Sequence, residues 1–254
     1  MHSGTVVYTY EIQPLFSRLL RFASRVPARV AIDDVRSNQQ RTHLELLSDV
    51  LVLRETILNA LDPATSEALG RREEVYIAIV AAGGYEYTVA MLAVLALGAA
   101  AVPISPALPI EEAAYFIEKS QAALVLVSSF DLEKCCKLEK RIASSSNEHF
   151  QGVPIGPCTL TPTLQATEIL ISSDRALEEN APAVVIFTSG TTGPPKGAVM
   201  RRAFVFDNAL SVADHYRLTA EDVMLHVRKP RIQGLYVERL CLRSCRLDMT
   251  VLIP

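Results

Sequence analysis

The sequence has no paired cysteine motif. Its five cysteines form no CxxC pair, and their odd number argues against a fully disulfide-bonded secreted scaffold. Cys241 and Cys245 are spaced as neighbours on one helix face, but no histidine or second cysteine pair near them completes a four-ligand metal site. We therefore expect no protein-held metal and a reducing compartment. The cytoplasm is our first expectation, and a mitochondrial or peroxisomal location is the alternative.

The sequence also has no excess of positive charge. Its formal net charge of -3 provides no broad basic field of the kind that binds nucleic acid or anionic lipid. About a fifth of the residues are charged and half are apolar, which is typical of a globular protein. We therefore expect small-molecule ligands and no nucleic-acid partner.

No apolar run is long enough to cross a membrane. The longest, Val89 to Val102, is shorter than the roughly 20 residues that a transmembrane helix needs. Residues 1–11 lack the basic and then apolar segments of a secretory signal. The next segment is basic and acid-poor at Arg18 and Arg21, as in a mitochondrial presequence. Its apolar spacing instead favours an ordinary helix that packs on a core, and we expect no transmembrane segment.

Strand and helix patterns alternate along the chain. Thr42 with Glu45 three residues later is a capping box, which predicts a helix start. The apolar segment 75–80 predicts a strand buried on both faces, and the helix predicted over 85–97 ends at Gly98. The other predicted strands are 29–32, 100–104, 123–128 and 183–187, and the other predicted helices are 43–61, 110–120 and 132–142.

This alternation predicts an α/β fold. Right-handed crossovers between successive strands give a mostly parallel sheet with helices on both faces. Ligands bind such sheets beyond the carboxyl ends of the strands. Residues 143–181 have several prolines and few long apolar runs, so we expect a surface connection with at most one short strand near 153–155.

Residues 188–197, with the sequence TSGTTGPPKG, carry the clearest chemical signal. Gly190, Gly193 and Gly197 permit positive φ and close backbone approach, so successive N–H groups can form an anion-binding nest. Two prolines reduce the freedom lost when the loop closes, and Lys196 supplies a positive charge. A hydrogen bond to a charged group contributes about 1.5 to 3 kcal/mol, so several of them dominate triphosphate affinity. The predicted ATP-phosphate residues are Thr188, Ser189, Gly190, Thr191, Thr192, Gly193 and Lys196.

Two other interpretations of this segment fit less well. The Walker loop needs four residues between its glycines and a Ser or Thr after its lysine, whereas here Gly197 follows Lys196 and a predicted strand follows both. A plain surface turn needs only two or three such residues, not ten in order.

The segment resembles the signature loop of the adenylate-forming (AMP-binding) superfamily. The likeness extends over about residues 14–227 and includes VPISPALP at 102–109. The segments PLFSRLLRFASRVPARVAI, GVPIGPCTLTP and AEDVMLHV are most similar to acyl-CoA synthetases of the malonyl-CoA synthetase type.

The resemblance implies a two-step acid–CoA ligase. A small-molecule carboxylate attacks the α-phosphate of ATP to give an acyl-adenylate and pyrophosphate, and coenzyme A then displaces AMP. The family uses Mg²⁺ with the ATP, and segment 188–196 would hold the β- and γ-phosphates. The catalytic residues stay unassigned. A catalytically inactive nucleotide- or partner-binding remnant and a kinase-like phosphotransferase remain as alternatives.

The sequence departs from the family pattern after residue 227. Arg228, Lys229 and Arg231 stand where the family has apolar residues, while Gln233 and Gly234 are the candidate acyl-pocket residues. We expect a partial AMP-binding domain at 14–227 and a divergent tail at 228–254. We also expect the C-terminal domain of the family to be absent, and a chain of this kind to be a poor catalyst.

The remaining reactive side chains have ordinary interpretations. His43, His149 and His215 are expected at the surface, because no acid or nucleophile lies beside them in the sequence. Cys135 and Cys136 lie between two lysines, which leaves a low-pKa thiolate open.

Overall fold

The structure is a computed structural model. It describes residues 8–12, 14–145, 150–159, 162–176, 178–188, 193–219, 222–225 and 250–253.

Strands and helices alternate over most of this length. The helices are α1 (Pro14–Ala23), α2 (His43–Ala60), α3 (Pro63–Gly70), α4 (Tyr85–Leu97), α5 (Ile110–Ser120), α6 (Leu132–Ala143) and α7 (Arg202–His215). The strands are β1 (Tyr8–Ile12), β2 (Val30–Asp34), β3 (Gln39–Thr42), β4 (Tyr76–Val80), β5 (Ala100–Ile104), β6 (Val125–Val127), β7 (Gly152–Pro154), β8 (Ile169–Ala176), β9 (Pro182–Thr188), β10 (Lys196–Arg201), β11 (Val223–Leu225) and β12 (Thr250–Ile253). Two short 3-10 helices lie at Gly156–Thr159 and Ala166–Glu168.

A six-stranded sheet forms the centre of the fold, in the order β10-β9-β5-β4-β6-β7. Its strands pair in parallel except β10, which is antiparallel to β9. Side chains alternate between faces along a strand, so Ile77 and Ile79 join the apolar cluster with α2 and α4, while Ala78 and Val80 join the cluster with α5 and α6. The predicted α/β fold with helices on both faces is confirmed.

Helix α4 lies in the interior, and both of its ends depend on glycine. Its C-cap Gly98 has φ 88°, a left-handed conformation that suits glycine. At the other end a Cβ on Gly84 would lie 2.9 Å from Asp34 Oδ2 and 2.8 Å from Arg36 Nη2. Because this space is free, the Asp34 carboxylate accepts the Tyr85 N–H at 2.9 Å and caps the helix from another strand.

The fold has two smaller sheets besides the central one. Strands β1 and β8 pair in parallel, and the other sheet has the order β11-β12-β2-β3, in which only β2 and β3 are antiparallel. The prediction for 143–181 was partly wrong. The expected short strand is β7, but Ile169–Ala176 forms a further strand. Its pairing partner is Tyr8–Ile12, far away in the sequence, and this long-range pairing selects the strand conformation.

One prediction about reactive side chains was wrong, and one possibility that the sequence left open is excluded for Cys135. His43 is only 3% exposed and lies against Phe22, with ring centroids 5.5 Å apart, because the first residue of α2 faces α1. Cys135 is buried, and burial together with the negative charge of Glu139 raises the pKa of its thiol to about 12. Cys135 is therefore not a low-pKa thiolate. His215 is exposed as expected, whereas His149, Cys241 and Cys245 lie outside the described residues.

Neither a metal cluster nor a membrane span is found in the described ranges. No group of three or more His, Cys, Asp or Glu side chains there is placed to hold a metal ion. None of the helices found there combines the length and apolar character that crossing a bilayer requires.

A buried acid links α2 to α4. Asp49 is 4% exposed and accepts the Tyr85 hydroxyl at 2.6 Å. The Arg41 guanidinium lies 5.6 Å from the centroid of the Tyr85 ring. Burial raises the pKa of Asp49 to about 6, and the Tyr85 hydrogen bond and the charge of Arg41 offset only part of this rise.

We expect this acid to make stability depend on pH. Because its folded-state pKa is raised, the folded chain holds the Asp49 proton up to about pH 6, whereas the unfolded chain releases it near pH 4. The stabilisation that comes from this raised pKa is therefore complete below pH 4 and is lost as the pH rises through 6. Asp49→Asn, which keeps an acceptor for Tyr85, should be more stable than wild type at pH 8 by about 1 to 2 kcal/mol.

Urea unfolding at pH 5 and pH 8 measures this difference. Glu179→Gln, which neutralises an exposed carboxylate, is the control and should follow the wild-type profile. Parallel pH profiles for wild type and Asp49→Asn would show that Asp49 does not carry the effect.

Candidate phosphate-binding site

The predicted phosphate loop connects two paired strands. Buried residues of β9 run beside β5, and the strand becomes exposed at Thr188. There it meets the start of β10, where Thr188 lies opposite Lys196 and its hydroxyl donates to the Lys196 carbonyl at 3.4 Å. The neck of the loop is thus closed by pairing between β9 and β10. The prediction that the loop lies between two strands is confirmed.

The loop leaves the sheet at its carboxyl edge. Strands β4, β5, β6 and β9 are parallel, so their carboxyl ends face the same way. This is the edge at which ligands bind in open α/β sheets. The fold therefore places the TSGTTGPPKG segment where the sheet type favours a ligand.

An exposed lysine lies at this edge. Lys196 and Thr188 are exposed, and no acidic side chain in the described part of the chain forms an ion pair with Lys196. Gly193 has open space around it. Ser189, Gly190, Thr191 and Thr192, like Gln233 and Gly234, lie outside the described residues.

Gly197 provides space within a strand. Its φ is not in the left-handed range, so the positive φ that glycine permits is not used at this position. Gly197 lies within β10, where a Cβ would be 3.1 Å from Val185 Cγ1 and 3.5 Å from Phe187 Cζ. Its missing side chain leaves room for the Phe187 ring against the strand.

A tyrosine on α5 contacts the C-terminal part of the loop, just before β10. The Tyr115 hydroxyl donates to the Pro195 carbonyl at 3.1 Å. Tyr115 also meets the Phe187 ring edge-on, and Phe116 stacks on Phe187 with centroids 4.2 Å apart. No sequence signal indicates this contact, because the two bonded residues are 80 positions apart and an aromatic residue on a helix ordinarily indicates core packing.

One protein-family model matches most of the chain. The model described as AMP-binding enzyme matches residues 22–229. The chain belongs to the AMP-binding enzyme family. The resemblance predicted from TSGTTGPPKG is confirmed, since the match includes that segment.

Curated relatives of this AMP-binding enzyme include acid–CoA ligases. Acyl-CoA ligase oryP of Aspergillus oryzae is 32% identical over 194 residues, which are 76% of this chain and 33% of the relative. The mitochondrial malonate–CoA ligase ACSF3 of Homo sapiens is 28% identical over 231 residues, 89% of this chain and 36% of the relative. The chain thus spans about a third of the length of these relatives.

Solved structures show the same fold. Apo MatB from Rhodopseudomonas palustris matches with a TM-score of 0.67 and 21% identity, over 94% of this chain and 45% of that one. The O-succinylbenzoate coenzyme A synthetase MenE of Bacillus subtilis, in complex with ATP and magnesium ion, matches with a TM-score of 0.69 and 22% identity, over 93% and 44%. At this identity the likeness supports the fold alone.

Proposed function

We propose that this AMP-binding enzyme takes part in the ATP-dependent conversion of a carboxylic acid to its CoA thioester. A carboxylate oxygen bonds to the α-phosphorus of ATP while the bond to the bridging oxygen of pyrophosphate breaks. The sulfur of coenzyme A then bonds to the acyl carbon, and AMP leaves with the electron pair. The observation that carries the proposal is the exposed Lys196 at the carboxyl edge of the sheet, which has no acidic partner among the described residues, in a chain matched by the family model.

We assign the phosphate-binding role to Thr188, to the segment 189–193 and to Lys196. Negative charge increases on the pyrophosphate as the bond to the α-phosphorus breaks. An ammonium group and N–H and O–H donors that meet this developing charge would stabilise it more than they stabilise bound ATP, which lowers the barrier. The paired neck at Thr188 and Lys196 holds the two ends of this segment in place before the ligand arrives.

Magnesium is assigned to the nucleotide rather than to a protein cage. The described residues offer no cluster of acidic, histidine or cysteine ligands. Mg²⁺ commonly keeps several waters and binds mainly through substrate phosphates. The ion would supply charge neutralisation on the phosphates, while the residues of this chain position them.

The acid substrate is proposed from the relatives. The human relative is named for malonate, and the sequence segments at 14–32, 152–162 and 220–227 indicate the same type. A short dicarboxylate is therefore the first acid to test. Gln233 and Gly234 stay proposed residues of the acyl pocket. The cytoplasmic location stays a prediction, and the mitochondrial name of the human relative supports testing the mitochondrial alternative beside it.

Product identity tests this function. Purified chain, held in excess over labelled ATP with Mg²⁺ so that a single slow turnover is counted, is incubated with malonate, acetate or no acid. We expect AMP and pyrophosphate to form only with an acid, and an acyl-CoA to form when coenzyme A is added. Release of ADP would instead indicate phosphotransfer, and nucleotide binding with no acid-dependent product would support the non-catalytic alternative.

A further inference from the structure

The contact between Tyr115 and Pro195 fixes one particular peptide unit. The Tyr115 hydroxyl lies 3.1 Å from the Pro195 carbonyl oxygen. That carbonyl shares a planar peptide with the N–H of Lys196. Proline has no N–H and a fixed φ, so the carbonyl is its one backbone hydrogen-bonding group, and ψ is its one soft backbone angle. A hydrogen bond to this oxygen therefore restrains the angle that sets where the Lys196 side chain begins.

The donor is itself held in place. Tyr115 is half-buried on α5, and its ring meets Phe116 and Phe187 at centroid distances of 6.0 and 6.5 Å. Phe187 stands on β9 directly before Thr188, at the other side of the loop neck. Tyr115 therefore contacts both sides of the loop. Its ring meets Phe187 on β9, which leads into the loop, and its hydroxyl bonds Pro195, which precedes β10.

We propose that Tyr115 is a positioning residue for phosphate binding, acting through Lys196. This inference rests on the proposed function. Lysine has a flexible stem, and ordering it on a ligand costs conformational entropy that a fixed starting point reduces. Without the hydroxyl, the Pro195–Lys196 peptide samples more orientations, and fewer of them direct the ammonium group toward the phosphates.

Tyr76 provides a matched control. It is a half-buried tyrosine on β4 that packs against the same apolar cluster as Tyr115. Its hydroxyl donates to the Glu74 carboxylate at 2.5 Å rather than to the loop. Tyr115→Phe and Tyr76→Phe thus remove the same atom from the same type of environment, and only one of these atoms contacts the segment that holds Lys196.

The test measures binding and loop order together in the full chain. Mg·ATP and pyrophosphate are titrated calorimetrically into wild type, Tyr115→Phe and Tyr76→Phe, and amide hydrogen exchange is followed in peptides covering residues 193–201. We expect Tyr115→Phe to weaken both ligands about three- to tenfold and to speed exchange in that segment by a similar factor, as loss of one hydrogen bond implies. Tyr76→Phe should match wild type in both readouts.

A double-mutant cycle with Lys196→Ala separates positioning from general stability. If the hydroxyl acts through the lysine, Tyr115→Phe should change affinity by less than about twofold when Lys196 is already gone. An equal loss in both backgrounds, or unchanged affinity and exchange in Tyr115→Phe, would overturn the positioning role. If Lys196→Ala itself binds like wild type, the phosphate assignment of the proposed function fails. The exchange data on Tyr115→Phe then still report whether the Tyr115 hydroxyl orders the segment around Pro195.

Discussion

Replacing Lys196 by alanine is expected to weaken binding of Mg·ATP and of pyrophosphate by about tenfold or more. The ammonium group is exposed and has no acidic partner among the described residues. No ion pair with these residues therefore has to break when Lys196 binds a phosphate. A hydrogen bond to a charged group contributes about 1.5 to 3 kcal/mol, which corresponds to at least a tenfold change in affinity. The same substitution should leave stability nearly unchanged, because exposed side chains away from caps and cores contribute little.

Calorimetric titration at two salt concentrations measures this effect. Lys140→Ala removes another exposed lysine, from the last turn of α6, and should bind both ligands as wild type does. Lys196→Arg keeps the charge and should recover part of the affinity. The salt dependence of binding should be weaker in Lys196→Ala than in wild type, since one screened charge pair is lost. Equal affinities for Lys196→Ala and Lys140→Ala would refute the loop assignment.

The part of the fold that the sequence predicted well is the part specified by local patterns. The helix predicted over 85–97, the strand over 100–104 and the helix over 110–120 coincide with α4, β5 and α5. The capping box at Thr42 and Glu45 is formed, with the Thr42 N–H bonded to Glu45 at 2.7 Å. These signals are glycine stops, caps and apolar runs, which act within a few residues.

The elements that were missed include both long-range and local cases. Strands β1 and β8 have mixed sequences and pair with each other from distant parts of the chain, whereas the polar β3 pairs with β2, the strand that directly precedes it. Helix α3 is different, since its start carried a local signal. Asp62 caps it by accepting the Thr65 N–H at 3.0 Å, and Pro63 follows at the first helical position, where proline is favoured.

The candidate site also has features that local sequence predicts and features that depend on distant contacts. The composition of 188–197 predicted an oxyanion loop, and the strand patterns on either side predicted that it joins two strands, which the structure bears out. The support from Tyr115 and the packing of Phe187 over Gly197 follow from how α5 and the β9–β10 pair meet in space. No residue near the loop in sequence carries that information.

The second large effect is expected at Arg202, the first residue of α7. Its side chain is 2% exposed and donates to the carbonyls of Gly98 and Ala99 at 2.6 and 3.0 Å. These carbonyls follow the end of α4, where the helix dipole favours a positive charge. The arginine therefore connects α7, which follows the β9–β10 pair, to the buried helix α4. Arg202→Met leaves both carbonyls without this donor, and we expect a loss of about 3 kcal/mol in the free energy of unfolding.

For a chain of this size that loss corresponds to a fall of about 6 to 12 °C in melting temperature. Arg201→Met is the control, because Arg201 is exposed and its hydrogen bond to the Asn180 carbonyl, at 2.5 Å, lies at the surface. Arg202→Lys should fall between the two, since a lysine keeps the charge but its shorter side chain ends before the position of Nη2, the one nitrogen that donates to both carbonyls. A stability for Arg202→Lys equal to that of wild type would mean that charge alone matters at the end of α4. A stability equal to that of Arg202→Met would mean that the position of Nη2 carries the whole effect.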